Sequence, residues 1–477
     1  MKSVKNVYLA ADFGGGSGRI IAGSLAGGRL EMEEVYRFPN RQVKLGNTVY
    51  WDFPALFEDL KAGLKAAARK GYEVKGIGID TWGVDFGLLD RRGNLLGNPV
   101  CYRDARTEGT AREVFGILDE SGHYARTGIQ VMEINTLFQL YAMKRSGDPQ
   151  LEIADRLLFM PDLFGYFLTG NADNEYCIAS TSELLDARSR SWSHETMRAL
   201  GLPEHLFGRI IPPGSVRGTL RDDIARETGL GPVKVFAVGS HDTASAVAAV
   251  PSTERPVAFL SSGTWSLLGV ELDEPILTEQ ARTAQFTNEG GVGGRIRFLQ
   301  NITGLWILQR LMAEWKERGE EQQYGTLIPA AAEARTETVI PVDAPEFMNP
   351  ESMEQAIADY CRAHSLSVPC DKAEMTKCVL LSLASKYREA VEGMNSCLPE
   401  PIKRLHIIGG GSQNDLLNRL TADALGIPVY AGPVEATATG NILTQAMADG
   451  EIADLEELRA VVGRSFEPKI YNPQQKQ

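Results

Sequence analysis

Short apolar runs rich in β-branched residues, separated by glycine-rich turns, fill the first forty residues. Residues 7–12 and 20–25 are two such runs with residues 13–19 between them, and Ala26-Gly27-Gly28 separates the second run from residues 29–38. Runs of this length between turn residues are typical of β-strands. The pattern therefore predicts a strand–turn–strand–turn–strand meander.

An amphipathic helix is predicted next, over residues 54–70. Leu56, Leu60 and Leu64 recur at intervals of four residues, which places them on one face of a helix. We expect this apolar face to pack against a sheet.

A fully apolar strand is predicted over residues 74–80. A strand of this composition is buried on both faces, so helices should cover its sheet. Ligands of such sheets bind beyond the carboxyl ends of the strands, which is where Trp82, Gly83 and Asp85 fall. Trp82 is open to two interpretations, since it can belong to the core or form an apolar wall of a ligand site.

Asp242 lies between a predicted strand and a predicted helix near the middle of the chain. Residues 233–238 are apolar and β-branched, and residues 243–250 are rich in alanine. A carboxylate at this corner can cap the helix by accepting backbone N–H groups. It can also act as a general base toward a bound hydroxyl group. Both roles are open, and the glycine-rich and polar loops on either side favour the second.

The element order of the first eighty residues recurs later in the chain. Residues 256–260 and 265–272 predict two strands around the polar turn 261–264, and residues 402–408 predict an apolar strand. The glycine-rich loop 409–414 then leads into a helix that ends near residue 425. Because the sequence identity between the halves is slight, the repeat lies in the order of elements.

A length of 477 residues is too large for one hydrophobic core and predicts two main domains. We place the boundaries so that the domains comprise residues 1–245 and 246–450, with residues 451–477 as a tail. Residues 115–226 are mixed and mostly helical, and are interpreted as an insertion in the first domain.

The composition excludes several classes of partner. Hydrophobic residues make up 43% and charged residues 23% of the chain, as in ordinary globular proteins, and the net charge is -13. An acidic chain is poorly suited to nucleic acids or anionic membranes. No run of apolar residues is long enough to span a bilayer. We therefore expect a cytoplasmic protein with no nucleic-acid or membrane partner.

The six cysteines lack the short paired spacings of metal sites and disulfide frameworks. Cys361 and Cys378 are the only pair that we consider as a possible bridge. Free thiols are the favoured interpretation, as expected for a cytoplasmic protein.

The glycine string after Asp12 differs from both common nucleotide-binding loops. Arg19 stands where the last glycine of a dinucleotide fingerprint belongs, and the chain contains no Gly-Lys pair for a Walker A loop. What remains is a hairpin tip, residues 14–18, whose consecutive amides suit phosphate oxygens. A flexible turn would explain the glycines alone, but the neighbouring Asp12 and Arg19 favour phosphate and metal binding.

Four ordered motifs resemble those of the FGGY carbohydrate kinases in the actin/hexokinase-like superfamily. They are Asp12 with its glycine hairpin, Gly239 to Asp242, Ser261 to Thr264, and Gly409 to Asn414. Within that group the chain resembles the rhamnulokinases in the stretches Asp80 to Phe86, Tyr102 to Asp104, Ser240 to Ala246, Leu260 to Ser266 and Asn301 to Trp306. The hairpin tip departs from the usual Ala-Ser-Ser type, because here it reads Gly15-Gly16-Ser17.

The resemblance implies an α/β fold with two ribonuclease H-like domains of the actin/hexokinase type, facing each other across a cleft. It implies ATP-dependent, Mg²⁺-assisted phosphorylation of the 1-hydroxyl of L-rhamnulose in L-rhamnose degradation. We expect a monomer or homodimer.

The resemblance assigns expected roles to individual residues. Asp242 would be the general base and Asp12 would lie near the metal ion. The nucleotide would contact Gly15, Gly16, Ser17, Gly18, Arg19, Thr264, Gln309 and Gly410. The sugar would contact Gly83, His241, Asp242, Thr243 and Asn301.

Two rival functions remain open at this point. One is a kinase of a related ketose such as L-fuculose, because the His-Asp-Thr stretch at residues 241–243 is not unique to one substrate. The other is an actin-like ATPase or nucleotide sensor without sugar chemistry. A polar loop set around Trp82 to Asp85 argues against the second, because a bare ATPase needs only to position water.

Overall fold

A computed structural model describes residues 5–252, 254–348 and 350–474. Its spatial contacts divide the chain into two compact units. Unit 1 comprises residues 1–253, 271–298 and 436–465, and unit 2 comprises residues 254–270, 299–435 and 466–477. The predicted domain boundaries at residues 245 and 450 stay a prediction.

The described residues form mixed α/β structure with strands in both units. The strands are β1 (Asn6–Phe13), β2 (Ser17–Ala26), β3 (Arg29–Pro39), β4 (Gln42–Leu45), β5 (Thr48–Trp51), β6 (Glu73–Asp80), β7 (Phe86–Leu89), β8 (Arg156–Phe159), β9 (Asn174–Glu175), β10 (Leu185–Asp186), β11 (Ser191–Trp192), β12 (Ile210–Ile211), β13 (Val216–Thr219), β14 (Lys234–Phe236), β15 (Val257–Ser262), β16 (Trp265–Leu272), β17 (Thr287–Gly290), β18 (Ile296–Thr303), β19 (Leu405–Ile408), β20 (Val429–Ala431) and β21 (Lys469–Tyr471).

The helices are distributed between the strands in both units. They are α1 (Phe53–Arg69), α2 (Thr110–Val114), α3 (Glu120–Thr127), α4 (Thr136–Ser146), α5 (Gln150–Ile153), α6 (Met160–Thr169), α7 (Tyr176–Ser180), α8 (His194–Leu200), α9 (Asp222–Thr228), α10 (Asp242–Ala248), α11 (Glu279–Thr283), α12 (Trp306–Glu317), α13 (Tyr324–Glu333), α14 (Met353–Ala363), α15 (Lys372–Asn395), α16 (Asp415–Leu425), α17 (Ala436–Ala448) and α18 (Leu455–Ser465).

A six-stranded sheet forms the centre of unit 1, in the order β13-β14-β6-β1-β2-β3. The hairpin strands β1, β2 and β3 are antiparallel neighbours, whereas β6 and β14 run parallel to β1. The carboxyl ends of β1, β6 and β14 therefore lie at one edge of the sheet. The predicted meander over residues 7–38 and the predicted strand over residues 74–80 are confirmed.

Helix α1 covers one face of this sheet with the leucines predicted from the sequence. Asp52 caps the helix by accepting a hydrogen bond from Ala55 N at 3.3 Å. Leu56, Leu60 and Leu64 are buried in the core with alternate residues of β1. Burial of each such side chain contributes about 1.5–3 kcal/mol to folding.

Helix α17 covers the opposite face at short distance, because glycines stand where the backbones approach. A Cβ at Gly78 of β6 would lie 2.4 Å from Asn441 Oδ1 of α17. A Cβ at Gly440 would lie 1.8 Å from the Ser245 carbonyl oxygen of α10. These glycines allow α10, α17 and β6 to bring polar side chains into contact.

Residues 86–211 build most of a second core in unit 1. Short strand pairs, β7 with β8, β9 with β12 and β10 with β11, join helices α2 to α8 there. The core includes Leu137, Phe138, Leu157 and Phe159, all fully buried. The mixed, mostly helical character predicted for residues 115–226 is confirmed, since helices α3 to α8 and the short strands β8 to β13 lie there.

Unit 2 contains most of a seven-stranded sheet with the order β17-β18-β16-β15-β19-β20-β21. The unit boundaries at residues 270 and 298 fall inside β16 and β18. β15, β19 and β20 are parallel neighbours, and β21 closes the edge antiparallel to β20. The predicted strand over residues 402–408 is shorter in the structure, since β19 pairs with β20 only from Leu405 onward.

The described cysteines are free thiols, including Cys361 and Cys378. The prediction of free thiols is confirmed. Within the described residues, no helix combines the length and the apolar composition that crossing a membrane requires.

Candidate functional site

Asp12 and Arg19 face each other across the first hairpin of unit 1. They are directly paired residues of β1 and β2, so their side chains leave the same face of the sheet. Arg19 donates to Asp12 Oδ2 through Nε at 3.0 Å and through Nη2 at 2.9 Å. A buried carboxylate thus lies against a guanidinium group at the base of the turn.

The turn that joins these two strands has an open tip. Gly14 N donates to the Ser17 carbonyl at 3.0 Å, and Asn40 closes the base by donating to Gly14 O at 2.8 Å and to Gly16 O at 3.2 Å. Nothing lies within 4 Å of where a Cβ would stand at Gly15 or Gly16. The tip can therefore admit a ligand close to its backbone.

Gly18 has a different environment from the tip. It is buried, and a Cβ there would lie 2.2 Å from the Phe38 ring of β3. This glycine is required by packing inside the sheet.

Asp80 lies beside Asp12 at the end of β6 and is fully buried. The two residues are partners in the parallel pairing of β1 with β6. Asp80 accepts hydrogen bonds from Ser245 Oγ and from Asn441 Nδ2, each at 2.7 Å. Burial raises the pKa of Asp80 well above its ordinary value, the two hydrogen bonds lower it, and the charges of Asp12 and Asp242 raise it further. Three carboxyl groups are therefore close enough to interact.

The main chain fixes Asp242 to the end of β6. Thr81 N donates to the Ser240 carbonyl and Asp242 N donates to the Thr81 carbonyl, both at 2.9 Å, and Thr81 pairs with His241 in a parallel bridge. Ser240 has a φ of 55°, a conformation that costs about 1 kcal/mol or more in a residue other than glycine. The position of Asp242 is thus fixed by hydrogen bonds between main-chain groups.

The Asp242 side chain is 34% exposed. Its Oδ1 accepts hydrogen bonds from Thr243 N at 2.5 Å and from Thr243 Oγ1 at 3.1 Å. His241 holds the N-cap position of α10 and makes no capping hydrogen bond through its side chain. The carboxylate therefore contacts the first turn and remains accessible, so it can accept a proton from a hydroxyl group placed beside it.

His241 connects Asp242 to a buried ion pair. Its Nε2 lies 3.5 Å from Asp242 Oδ1. Its Nδ1 lies 3.2 Å from Arg297 Nη2 and 3.4 Å from Glu289 Oε2. Arg297 and Glu289 are buried and ion-paired at 3.1 Å.

Asp85 organises the loop that follows β6. The fully buried carboxylate accepts four N–H donors, which are Trp51 Nε1 at 2.6 Å, Trp82 Nε1 at 2.9 Å, Gln139 Nε2 at 3.0 Å and Tyr102 N at 3.1 Å. Burial raises the pKa of Asp85 to about 6, although these hydrogen bonds lower it. The carboxylate holds the loop together from inside.

Gly83 and Trp82 occupy different environments in that loop. Gly83 is partly exposed, and a Cβ there would lie 3.3 Å from Thr181 Oγ1. Trp82 is buried against Trp51, with ring centroids 4.0 Å apart. The core interpretation of Trp82 is therefore favoured over the ligand wall.

In unit 2, Thr264 lies in the turn between β15 and β16. Its Oγ1 donates to Gln309 Oε1 at 3.1 Å. Leu305 N donates to the Gly263 carbonyl at 3.0 Å and Trp306 N donates to the Thr264 carbonyl at 3.2 Å. Helix α12 therefore begins against this turn and brings Gln309 to it.

The glycine-rich loop after β19 lies beside the same turn. A Cβ at Gly411 would fall 2.0 Å from Ser262 Oγ, so the two backbones are in close contact. Gly410 is exposed, with no atom within 4 Å of a Cβ position. Asn301 is partly exposed and lies in β18 of the same sheet.

The predicted site residues thus fall into two groups. Unit 1 brings together Asp12, Gly15 to Arg19, Gly83 and His241 to Thr243 at the carboxyl ends of β1 and β6 and in the adjoining loops. Unit 2 brings together Thr264, Gln309 and Gly410, with Asn301 in the same sheet. The roles assigned to these residues stay predictions.

Sequence reasoning missed four polar residues around this group. Asp80 could have been found, because it ends the apolar strand predicted over residues 74–80, and a ligand is expected beyond the carboxyl end of that strand. Asn441 is 361 residues from Asp80, and Arg297 is 56 residues from His241. Arg297 and its partner Glu289 carry no local pattern that indicates these contacts.

The carboxylate of Asp12 fits a magnesium ion that is shared with a ligand. No cluster of three or more His, Cys, Asp or Glu side chains suited to a metal ion occurs in residues 5–252, 254–348 or 350–474. Mg²⁺ is commonly bound through one or two carboxylates together with waters and substrate phosphates. Asp12, which pairs with Asp80 across β1 and β6, provides one such carboxylate.

Two family models cover most of the chain. The N-terminal domain of the FGGY family of carbohydrate kinases matches residues 7–249, and the C-terminal domain matches residues 258–448.

Curated relatives match over nearly the full length. Rhamnulokinase from Bacteroides thetaiotaomicron is 47% identical over 472 residues, which cover 99% of this chain and 96% of that protein. Rhamnulokinase from Bacillus subtilis is 39% identical over 98% of this chain and 95% of that protein. Rhamnulokinase from Pectobacterium carotovorum is 43% identical over 99% and 94%.

Solved structures of sugar and polyol kinases share the fold. Glycerol kinase from Plasmodium falciparum with ADP has a TM-score of 0.80 at 13% identity, over 99% of this chain and 94% of that chain. Gluconate kinase from Lactobacillus acidophilus has a TM-score of 0.79 at 14% identity, over 98% and 94%. The predicted α/β class with two actin/hexokinase-type domains is confirmed. By its two matching domain models and its full-length relatives, the chain belongs to the FGGY family of carbohydrate kinases.

Proposed function

We propose that this protein transfers the γ-phosphoryl group of ATP to the 1-hydroxyl of L-rhamnulose, forming L-rhamnulose 1-phosphate and ADP in L-rhamnose degradation. The substrate is supported by full-length rhamnulokinase relatives at 38–47% identity. The observation that carries the chemistry is the accessible carboxylate of Asp242, fixed at a strand end beside two further carboxyl groups. The reaction is assigned to the cytoplasm, where ATP is available.

Asp242 is the proposed general base. The sugar oxygen forms a bond to the γ-phosphorus, the bond from that phosphorus to the ADP oxygen breaks, and the proton of the hydroxyl passes to Asp242. Because Thr243 donates to Oδ1, the carboxylate has a defined orientation when the hydroxyl arrives. Phosphoryl transfer requires mainly positioning and neutralisation of spreading charge.

The hairpin tip is the proposed phosphate contact in unit 1. Gly15, Gly16 and Ser17 are exposed and leave room for phosphate oxygens near their amides. Arg19, at the base of the hairpin, adds a positive charge on the same face as Asp12. Gly18 is proposed to contact the nucleotide through its backbone, because the Phe38 ring fills the space where a side chain would stand.

Asp12 is the proposed contact to Mg²⁺, which would neutralise phosphate charge when it is bound. Its carboxylate lies in the sheet next to Asp80, and both Arg19 hydrogen bonds fall on the same oxygen, Oδ2. Burial favours the protonated form of Asp80. Asp12, Asp80 and Asp242 together therefore carry less negative charge when no cation is bound.

Gly83, His241, Thr243 and Asn301 are the proposed sugar contacts. The first three lie next to Asp242 or in the loop that follows β6, where a hydroxyl-bearing ligand can meet donors and acceptors. Thr264, Gln309 and Gly410 are the proposed nucleotide contacts of unit 2, supported by the hydrogen bond between the first two and the exposure of the third. A monomer or homodimer stays a prediction.

The proposal is tested by measuring ADP release with ATP and Mg²⁺ over a panel of L-rhamnulose, L-fuculose, D-xylulose and glycerol. We expect the highest kcat/KM for L-rhamnulose, and phosphorus NMR of the product should place the phosphate on the C1 oxygen. A higher kcat/KM for L-fuculose would assign the protein to a related ketose. Equal ADP release without any sugar would identify an ATPase and refute the proposal.

A further inference from the structure

We propose that Arg297 and Glu289 are positioning residues that fix the tautomer and orientation of His241 for the phosphoryl transfer. This inference rests on the proposed function, because it gives the ion pair a role in that reaction. Neither residue belongs to the predicted site. Both act through His241 and do not contact the sugar themselves.

Three contacts hold the Arg297 guanidinium in place. The side chain is fully buried in β18. Its Nε donates to the Gly290 carbonyl at 2.7 Å, and its Nη2 lies 3.1 Å from Glu289 Oε2 and 3.2 Å from His241 Nδ1. A planar guanidinium held at both Nε and Nη2 presents its N–H groups in fixed directions.

The guanidinium decides which nitrogen of His241 carries the proton. Arginine has five donors and no acceptor, so the imidazole nitrogen that faces it has to accept. The proton of His241 therefore lies on Nε2. Glu289 Oε2 also lies near Nδ1, at 3.4 Å, but a proton on Nδ1 would point an N–H group against the N–H group of Arg297.

The same tautomer suits the Asp242 carboxylate. His241 Nε2 lies 3.5 Å from Asp242 Oδ1, so an Nε2–H group faces a negative oxygen. The opposite tautomer would direct a nitrogen lone pair at that oxygen, which is repulsive. With the proton on Nε2, His241 can donate to a sugar hydroxyl while Asp242 stays free to accept the proton that leaves.

The alternative role for the ion pair is purely structural. Buried ion pairs often contribute little net stability, yet removal of one partner is strongly destabilising because it leaves an uncompensated charge. The test therefore replaces both partners together, as Glu289→Leu with Arg297→Met. The matched control is another buried ion pair of unit 1, Asp162 with Arg217, replaced as Asp162→Leu with Arg217→Met.

The first measurement is nitrogen NMR of the protein labelled with ¹⁵N in the histidine rings, recorded without substrate. The chain has six histidines, and the spectrum of His241→Gln identifies the resonances of His241. We expect an unprotonated Nδ1 and a protonated Nε2 in the unmodified protein and in the control variant. We expect a mixture of tautomers in the Glu289→Leu, Arg297→Met variant. A protonated Nδ1 in the unmodified protein, or an unchanged tautomer in that variant, would overturn the proposal.

The second measurement is a double-mutant cycle on kcat/KM for L-rhamnulose. Residues coupled through a shared contact show non-additive effects of 0.5–3 kcal/mol. We expect the Glu289→Leu, Arg297→Met change to lower kcat/KM about tenfold in the presence of His241, a coupling in that range. In a His241→Gln background the same change should lower it less than about twofold. Equal losses in the two backgrounds would show a role independent of His241.

These two measurements separate failure of this inference from failure of the proposed function. The tautomer is measured without any sugar or nucleotide. Absence of sugar-dependent ADP release in the unmodified protein would refute the proposed function and with it a role in that reaction. A fully active protein with the His241 proton on Nδ1 would refute the positioning role alone.

Discussion

Asp242 combines a side chain open to ligands with a main chain bound to β6. Its N–H group and the neighbouring bridge between Thr81 and His241 set its place. A change at its carboxylate should therefore affect chemistry far more than geometry.

We expect Asp242→Asn to fold and to bind ATP normally while kcat falls by about 10² to 10⁴, the range for losing a general base. The asparagine carbonyl oxygen can still accept the hydrogen bond from Thr243 N, but it accepts no proton. A loose transition state needs less help from a base, so the lower end of that range is favoured. Steady-state kinetics and thermal denaturation measure the two effects.

Asp242→Ala is the companion variant, since it removes the contact to Thr243 as well. It should be as inactive as Asp242→Asn and additionally lose about 1 kcal/mol of stability, the usual net contribution of one hydrogen bond. Near-normal turnover in Asp242→Asn would exclude Asp242 as the base.

At the scale of residues, the sequence predicts what stands beside a turn or a strand end and misses what arrives from far away. Asp12, Arg19 and Asp242 each follow or precede a recognisable element. Asn441 reaches Asp80 from a helix far along the chain, and no local pattern of residues encodes that approach. Arg297 carries no local signal of its role, because its contact with His241 joins residues 56 positions apart.

In the glycine hairpin, neighbouring glycines are present for different physical reasons. Gly16 has open space at its Cβ position and no left-handed φ, whereas the Cβ position of Gly18 is occupied by the Phe38 ring. A side chain at position 16 therefore lowers the stability of the fold little and fills only the open space above the hairpin tip. Because Gly16 has no left-handed φ, a residue other than glycine there is not expected to strain the backbone.

We expect Gly16→Val to raise the KM for ATP with little change in the KM for the sugar or in the Tm. Gly18→Val is the matched comparison, and overpacking against Phe38 should destabilise it by about 1–3 kcal/mol. Initial-rate kinetics over both substrates, with thermal unfolding of each variant, distinguish the two effects. An unchanged KM for ATP in Gly16→Val would reduce the hairpin to a structural turn.

At the scale of elements, regular periodicity predicted β1 to β3, α1 and β6 with nearly correct ends. The contribution of α17 to unit 1 was not predicted, because residues 436–448 mix small apolar residues with threonine, asparagine and glutamine and carry no sign of which sheet they cover. Its placement depends on Gly78 and Gly440, whose missing side chains permit close approach. A glycine predicts space for a neighbour but does not identify the neighbour.

Buried carboxyl groups give the whole molecule an unusual dependence of stability on pH. Burial raises the pKa of Glu175 to about 8 against hydrogen bonds from Cys177 and Ile178 that lower it. Burial likewise raises the pKa values of Asp162 and Asp85 to about 6. A carboxyl group with a raised pKa stabilises the fold fully below its unfolded pKa, and that contribution is lost as the pH rises through its folded pKa.

We therefore expect the Tm to fall as the pH rises from about 5 to about 8.5, a window set mainly by Glu175. Glu175→Gln should flatten this slope, since the amide does not ionise, with a change in the pH-dependent Tm shift of about 2 °C or more. Differential scanning calorimetry across the window measures it.

Glu108→Gln, at an exposed position, is the control and should leave the slope unchanged. Exposed acids with lowered pKa values, such as Glu279 at about 2, titrate below this window and do not contribute to it. A Tm that rises toward alkaline pH would contradict the prediction.

Asp242 is attached to Thr81 through main-chain hydrogen bonds. The position of its backbone therefore does not depend on which side chains lie beside it. The hydrogen bonds that join Asp242 N to the Thr81 carbonyl and Thr81 N to the Ser240 carbonyl involve main-chain atoms alone, so substitutions of neighbouring side chains can leave the Asp242 backbone in place. Such an attachment allows new substrate preferences to arise by successive substitutions without loss of the reaction at each step. Kinases with a similar fold at 13–14% identity are named for gluconate and glycerol, and an anchor of this kind is one physical means by which a single scaffold can diversify.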